Sequence, residues 1–311
     1  MKHTHWTLIL AANLLLSLLS CTEKPTSTTP SSGSGQTEMA AVGFDDNGAS
    51  LALFSVAEQK YIRFSRGNLQ YKPLTDTWRF ATTQYSYIGP DNANISPIYN
   101  DWIDLFGWGT SGYPSGALAF TPCDTSTLFS DYYPGGNPEN DLAGEHDSCD
   151  WGIYASITNG GNQKGLWRTL TTEEWQYLLS YGDHANYFRD GKWGLGTIAG
   201  LYPGIIILPD NWILPDNLTF TPGLSAGWYT NAYTIDAWIR MEKAGAIFLP
   251  AAGRRISSTP SFVDYYGDYW TSSHYDPERA YSLSFSNKFL DTDRTLDRSL
   301  GLSVRLVQDV Q

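Results

Sequence analysis

The sequence predicts a sheet-rich chain of short strands, many turns and few helices. Three observations carry this. Short runs of β-branched and aromatic residues recur along the chain. Gly-, Pro-, Asn- and Asp-rich stretches separate them, and one segment alone has a clear helical period. "SLALFSVAEQKYIRFS" and "GNLQYKP" read as strands, and "TWRFAT" continues the pattern. "GWGTSGYPSG" and "YYPGGNPEND" read as long loops. The helix is "TLTTEEWQYLLSYG", with Thr171 and Glu174 as a capping box. Trp175, Leu178 and Leu179 form its apolar face, and Gly182 is the expected stop. Glu173 and Glu174 are not a catalytic pair, because helical neighbours point about 100° apart. The cap accounts for Glu174.

After the helix, "GIIILPDNW" reads as a buried strand ending at Pro209, and "AGAIFLPAAG" repeats its form. Period-two alternation marks "AYSLSF" and "GLSVRLV" as half-buried strands. In the first, Tyr281, Leu283 and Phe285 face inward. In the second, Leu302, Val304 and Leu306 face inward, leaving Ser303 and Arg305 outside.

The two ends of the polypeptide differ in character. Residues 1–20 combine a short basic start with an apolar run from Leu8 to Leu19, too short for a comfortable membrane span, and read as an export signal. Leu18-Leu19-Ser20 before Cys21 resembles the bacterial lipobox, which implies lipidation at Cys21; a plain signal peptide with a chance cysteine is the alternative. Residues 21–45, rich in Ser, Thr, Pro and Gly, read as a flexible tether. Residues 46–311 suit a single domain. The net charge of −12 argues against nucleic acid as a partner. In an exported chain Cys123 and Cys149 are expected to pair, with two buried thiols as the alternative. No clustered histidines or close-spaced cysteines suggest zinc.

Several segments, in this order, resemble formylglycine-generating-enzyme-like proteins, which have a C-type-lectin-like fold. They are "WRTLTTEEWQYL", "GAIFLPAAGRR", "GDYWTSS", "AYSLSF" and "GLSVRLV". With "FSRGNLQY" and "WIDLFGWGTSGY", they are similar to repeated surface lipoproteins of Bacteroides-type gut bacteria. The resemblance covers roughly residues 54–308. It implies an α+β fold: a C-type-lectin-like domain with a twisted antiparallel sheet, few helices and long irregular loops. It does not carry the oxidase chemistry, which needs two late cysteines; none follows Cys149. His146, His184 and His274 are too dispersed for the related iron site. Calcium binding in the lectin manner is not favoured either. "NPEND" at 137–141 scrambles the expected triplet, and "YND" at 99–101 is a poor second; the acidic loop still offers oxygen ligands, with a solvated loop as the favoured alternative.

Residues 265–285, "YYGDYWTSSHYDPERAYSLSF", place seven aromatic side chains among 21 positions. They resemble the frame of C-type-lectin-like proteins whose C-terminal codons are rewritten by retroelements. Trp270 and Phe285 are expected in the core. Tyr265, Tyr266, His274, Tyr275, Arg279, Phe289 and Arg294 are the candidate ligand contacts, a mixture of large rings and adaptable polar groups. Trp102, Trp108 and Trp228, near glycine-rich turns, are candidate sugar-stacking rings. The expected role is an adhesin-like binding lipoprotein of the outer membrane, at the cell surface or its periplasmic side, with a glycan or protein ligand and no catalysis. An accessory fimbrial or tip subunit is the alternative, and a hydrolase with dispersed carboxylates a third reading.

Overall fold

The computed structural model describes residues 43–113 and 125–310. The export signal, Cys21, nearly all of the tether and Cys123 lie outside these residues. The chain from Ala40 to Gln311 forms one compact unit. No described helix is long and apolar enough to cross a membrane.

The chain opens with a hairpin of β1 (Phe54–Ala57) and β2 (Lys60–Phe64), then a second of β3 (Leu69–Lys72) and β4 (Thr77–Phe80). After long loops come the short helix α1 (Trp151–Tyr154), strand β5 (Arg168–Thr169) and helix α2 (Thr172–Leu179). A third hairpin joins β6 (Trp193–Ile198) to β7 (Tyr202–Ile207). Helix α3 (Gly227–Thr230), strand β8 (Ala232–Tyr233), helix α4 (Ile235–Lys243) and strand β9 (Ile247–Pro250) follow. A small hairpin of β10 (Arg254–Ile256) and β11 (Thr259–Ser261) leads to a three-strand meander of β12 (Gly267–His274), β13 (Arg279–Phe285) and β14 (Leu290–Asp297). Strand β15 (Leu306–Val310) returns to pair with β2 and β5, so the first and last strands share the sheet β1-β2-β15-β5. A second four-stranded sheet has the order β8-β6-β7-β9, antiparallel except for β6 with β8. The architecture is thus sheet-rich, with few helices and open sheets.

Local chemistry explains the elements. In α2 the Thr171 side chain accepts from the Glu174 backbone while the Glu174 carboxylate accepts from the Thr171 backbone, and Trp175, Leu178 and Leu179 are buried. The helix ends at Ser180, in the left-handed region at φ 49°, rather than at Gly182. The Ser180 hydroxyl meets Asp190 at 2.5 Å, which supports the unfavourable backbone. Glycine 182 instead lies against the Gln176 side chain. Helix α4 escaped the sequence reading, although Thr234 caps it and Trp238 and Met241 bury one face at i, i+3 spacing.

The apolar runs of β7 and β9 pair as Ile205↔Leu249 and Ile207↔Ile247. Ile205 and Ile207 enter one core cluster with Trp175 and Phe285; Ile206 enters another with Trp238 and Phe248. A strand covered on both faces has no polar alternation.

The same cover corrects two expectations. In β13, Ala280, Ser282 and Ser284 are as buried as Leu283 and Phe285, while Tyr281 is half-exposed. Leu302, Val304 and Leu306 face one core cluster, yet Ser303 and Arg305 opposite them are buried too. Arg305 donates to Gln84 Oε1 at 2.9 Å and reaches Asn68 Oδ1 and the Phe248 carbonyl at 3.4 Å each. Alternation names two faces; here neither of them meets water.

Candidate functional site

The meander β12-β13-β14 arranges the seven candidate contacts. Its register pairs Gly267 with Phe285 and Phe285 with Leu290 at one end, and His274 with Ala280 and Ala280 with Leu296 at the other. Seven residues of extended strand separate those ends by roughly 20 Å. Tyr265, Tyr266, Phe289 and Arg294 group at the first end; His274, Tyr275 and Arg279 lie at the second. The candidates therefore do not converge on one surface.

At the second end the polar groups are committed to each other. The His274 backbone N–H and ring Nδ1 both lie 2.7 Å from Asp141 Oδ1, and ring Nε2 is 3.6 Å from Glu139 Oε2. Arg279 donates to Asp276 Oδ2 through Nε at 2.9 Å and Nη2 at 2.6 Å. Its guanidinium lies 4.9 Å from the centre of Tyr275, which meets Tyr281 edge-on at 5.2 Å. These contacts close the hairpin between β12 and β13.

At the first end the side chains form an open patch. Tyr266 is central, with ring centres of Phe262 at 5.1 Å, Phe289 at 5.7 Å and Tyr265 at 5.8 Å. Arg254 lies 5.3 Å from the Phe262 ring centre and 5.5 Å from that of Tyr266, and Arg294 lies 5.6 Å from Phe289. Tyr265 is 58% exposed and Phe262 47%. Beneath the rings, buried Asp268 accepts from Arg254 Nε at 2.9 Å and from Ser284 Oγ at 2.6 Å. Burial pushes the Asp268 carboxyl up, and Arg254 opposes that.

The turn that presents these rings is strained. Phe262 has φ 59° and Asp264 φ 66°, a conformation that bulky side chains rarely adopt. It is held by the Asp264 N–H on the Ala251 carbonyl at 2.9 Å and by the Tyr266 carbonyl, which accepts from Gly253 at 2.8 Å. Glycine is required at 253: its φ is 75°, and a Cβ there would sit 2.4 Å from the Ser261 carbonyl oxygen. Phe262 was not a sequence candidate. The nearest sequence signal is the Ser-Ser-Thr-Pro-Ser run before it, which marks a turn.

The other candidate rings are covered. Trp108 and Trp228 are buried and present no face to a sugar; Trp102 is half-exposed, but Arg79 lies over its ring at 3.7 Å. Cys149 is buried, which pushes its thiol up, and Cys123 lies outside the described residues. Among the described residues no three His, Cys, Asp or Glu side chains converge as a metal site. In the loop at 137–141, Asp141 is taken by His274, and the Asn140 amide donates to the Pro134 carbonyl at 2.8 Å.

A cleft of about 280 Å³ opens elsewhere, lined by Lys60, Asp147, Asp150, Arg168, Thr171 and Ser272 among others. Two of its charged walls, Asp150 and Arg168, are internally satisfied. Asp150 accepts from Gly152 N at 2.8 Å and Thr169 N at 2.7 Å, with burial raising its carboxyl to about 6. Arg168 is bidentate to both Glu174 and Asp309. No protein-family model, curated protein or solved structure matches the chain.

Proposed function

We propose that the chain is a binding module of the C-type-lectin-like type, carried on the outer membrane by a lipid at Cys21 and a Ser/Thr/Pro/Gly tether. The domain holds a carbohydrate against the patch of Phe262, Tyr265, Tyr266 and Phe289. One observation carries this reading: four rings at contact spacing, two of them exposed and three on a turn held in strained backbone, beside two arginines and a buried aspartate. Rings placed in advance lose little entropy when a ligand arrives. Flat rings beside polar groups fit a sugar, which has an apolar face and a polar rim. The proposed role needs no catalytic group. A glycan array probed with the purified protein, in calcium and in chelator, tests it. Tyr265→Ala is expected to weaken the bound signal by about tenfold, roughly 1.4 kcal/mol, with calcium and chelator giving the same result. Binding untouched by Tyr265→Ala and lost in Tyr275→Ala would move the site to the opposite end of the meander.

A further inference from the structure

The patch does not stop at Phe262. Tyr87 donates a hydrogen bond to Asp264, within the same strained turn. The Tyr87 ring meets Tyr202 edge-on at 5.9 Å, and Tyr202 lies 5.1 Å from Tyr85. Seven rings thus fall in two groups joined by that hydrogen bond: Tyr85, Tyr202 and Tyr87 in one, and Phe262, Tyr265 and Phe289 around Tyr266 in the other. Where the rings touch, neighbouring centres are 5.1 to 5.9 Å apart.

Backbone hydrogen bonds lace the Tyr202 strand to the Phe262 turn through Ala251, and the Tyr87 side chain ties its own segment to that turn. The Pro203 carbonyl, next to Tyr202, accepts from Ala251 at 2.8 Å, and the Ala251 carbonyl accepts from Asp264 at 2.9 Å. The strip is therefore a fixed surface built from three distant parts of the sequence. The hydroxyls of Tyr202, Tyr265 and Tyr266 make no hydrogen bond to any described residue, so each remains a donor and an acceptor for a ligand.

The charges on the strip decide what kind of ligand fits. Arg254 is paired with Asp268, and Arg294 lies in the field of Asp268 and Asp291. Asp264 is a third acid, beside Tyr87. Two arginines and the exposed Lys288 beside Phe289 stand against three aspartates, so the strip carries no net positive charge, and the chain as a whole carries −12. A polyanion gains nothing here and meets repulsion. A neutral chain pays no such penalty.

We infer that the strip binds a neutral, extended polysaccharide along its length, engaging several sugar units at once, and not a terminal sugar or an acidic polymer. This rests on the Phe262–Tyr266 turn being the binding surface. Two groups of rings joined on one fixed surface match a ligand that repeats the same apolar face, as a pyranose chain does.

Calorimetry with the full-length protein tests this. The probes are soluble glucan, mannan and xylan, their fragments from two to six sugars, and a polyuronate. At least one neutral polymer is expected to bind, equally in low and high salt, with the polyuronate unbound. Affinity should rise about tenfold or more from disaccharide to hexasaccharide, roughly 1.4 kcal/mol. Tyr265→Ala should weaken short and long fragments alike, whereas Tyr202→Ala should weaken only the long ones by a similar factor. Tyr202→Phe, which keeps the ring, guards against misfolding and should retain most of the long-fragment affinity. Equal affinity for short and long fragments, or a long-fragment affinity unmoved by Tyr202→Ala, overturns the polymer inference while leaving the Tyr265-dependent site intact. Preference for the polyuronate overturns neutrality. No binding to any neutral probe overturns the inference, and binding indifferent to Tyr265→Ala overturns the site itself.

Discussion

Arg298→Ala is expected to destabilise the domain by about 4 kcal/mol, roughly 10 °C in melting temperature. The Arg298 side chain is fully buried with no carboxylate in its grip. Its guanidinium donates to four backbone carbonyls: Pro138 at 2.6 Å, Asp276 at 2.7 Å, Arg279 at 3.2 Å and Tyr132 at 3.4 Å. It also lies 4.6 Å from the Trp108 ring centre and 5.4 Å from Tyr133. One side chain thus joins the Tyr132–Pro138 loop to the hairpin between β12 and β13. Truncation strands carbonyls that water cannot reach and opens a cavity beside Trp108, so two costs add. Burial pushes the guanidinium down to about 10, so it stays protonated at neutral pH and the loss should be flat from pH 6 to 8. Arg298→Lys should recover less than half, because a single ammonium cannot reproduce a planar fork aimed at four acceptors. Denaturant unfolding measures the loss, and limited proteolysis should show cleavage within residues 132–141 of the Ala variant at protease levels that leave the parent whole. A melting temperature within about 2 °C of the parent would mean that the carbonyls find other donors.

That arginine also shows what the sequence could and could not reveal. Arg298 sits among aspartates in a stretch that looks like solvated surface, and only the fold brings the four carbonyls around it. Helix α2 was legible because its cap and apolar face are local, within eight residues. The strand at 279–285 was legible as a strand, since period two is a local property; of the expected strand at 301–307 only Leu306 and Val307 belong to one, β15, while Gly301, Leu302 and Ser303 make single bridges to Arg255, Phe106 and Tyr269, and both segments are buried on two faces. Their burial was not legible, because cover on the second face comes from chain more than two hundred residues away, such as Asn68 and Gln84 against Arg305. The aromatic patch was half legible. Tyr265, Tyr266, Phe289 and Arg294 meet because the meander brings the start of β12 and the start of β14 to the same end of the sheet. His274, Tyr275 and Arg279 share their stretch of sequence but sit a strand length away. Tyr87 and Tyr202 join the strip through pairings that no local pattern encodes.

Glu174→Gln is expected to cost about 3 kcal/mol at pH 7 and progressively less as the solution is acidified. The Glu174 carboxylate gathers four donors. Arg168 binds it twice, at 2.7 and 2.8 Å; Lys60 Nζ lies at 2.5 Å; the Thr171 backbone N–H completes the cap at 3.0 Å. Arg168 in turn grips Asp309 on β15 at 2.6 and 2.8 Å. The carboxylate therefore ties α2 to β2, β5 and, through Arg168, β15, far more than the cap alone requires. A glutamine offers one oxygen and turns an amide donor toward groups that are themselves donors, so at least one partner is left facing it unpaired. Burial by itself would raise the Glu174 carboxyl, but Arg168, Lys60 and the Thr171 N–H together outweigh burial and hold it below its ordinary value. Its stabilisation is thus complete above the unfolded value, about 4.3, and is lost as pH falls through the depressed folded value. Asp104 and Asp150, both raised to about 6 by burial, act in the opposite sense: folding loses stability as pH rises from about 4 to 6, where the unfolded chain releases those protons first. Both proteins carry these two aspartates, so their effect cancels in the difference. The gap between parent and variant, read from denaturant unfolding at steps from pH 7 down to pH 2.5, should therefore be level to about pH 5 and close below about 4. Lys60→Met serves as the comparison: its ammonium is half-exposed, so water and salt screen it, and its loss should stay within about 1 kcal/mol. A gap that stays constant down to pH 2.5 would show that shape rather than charge holds α2 on the sheet.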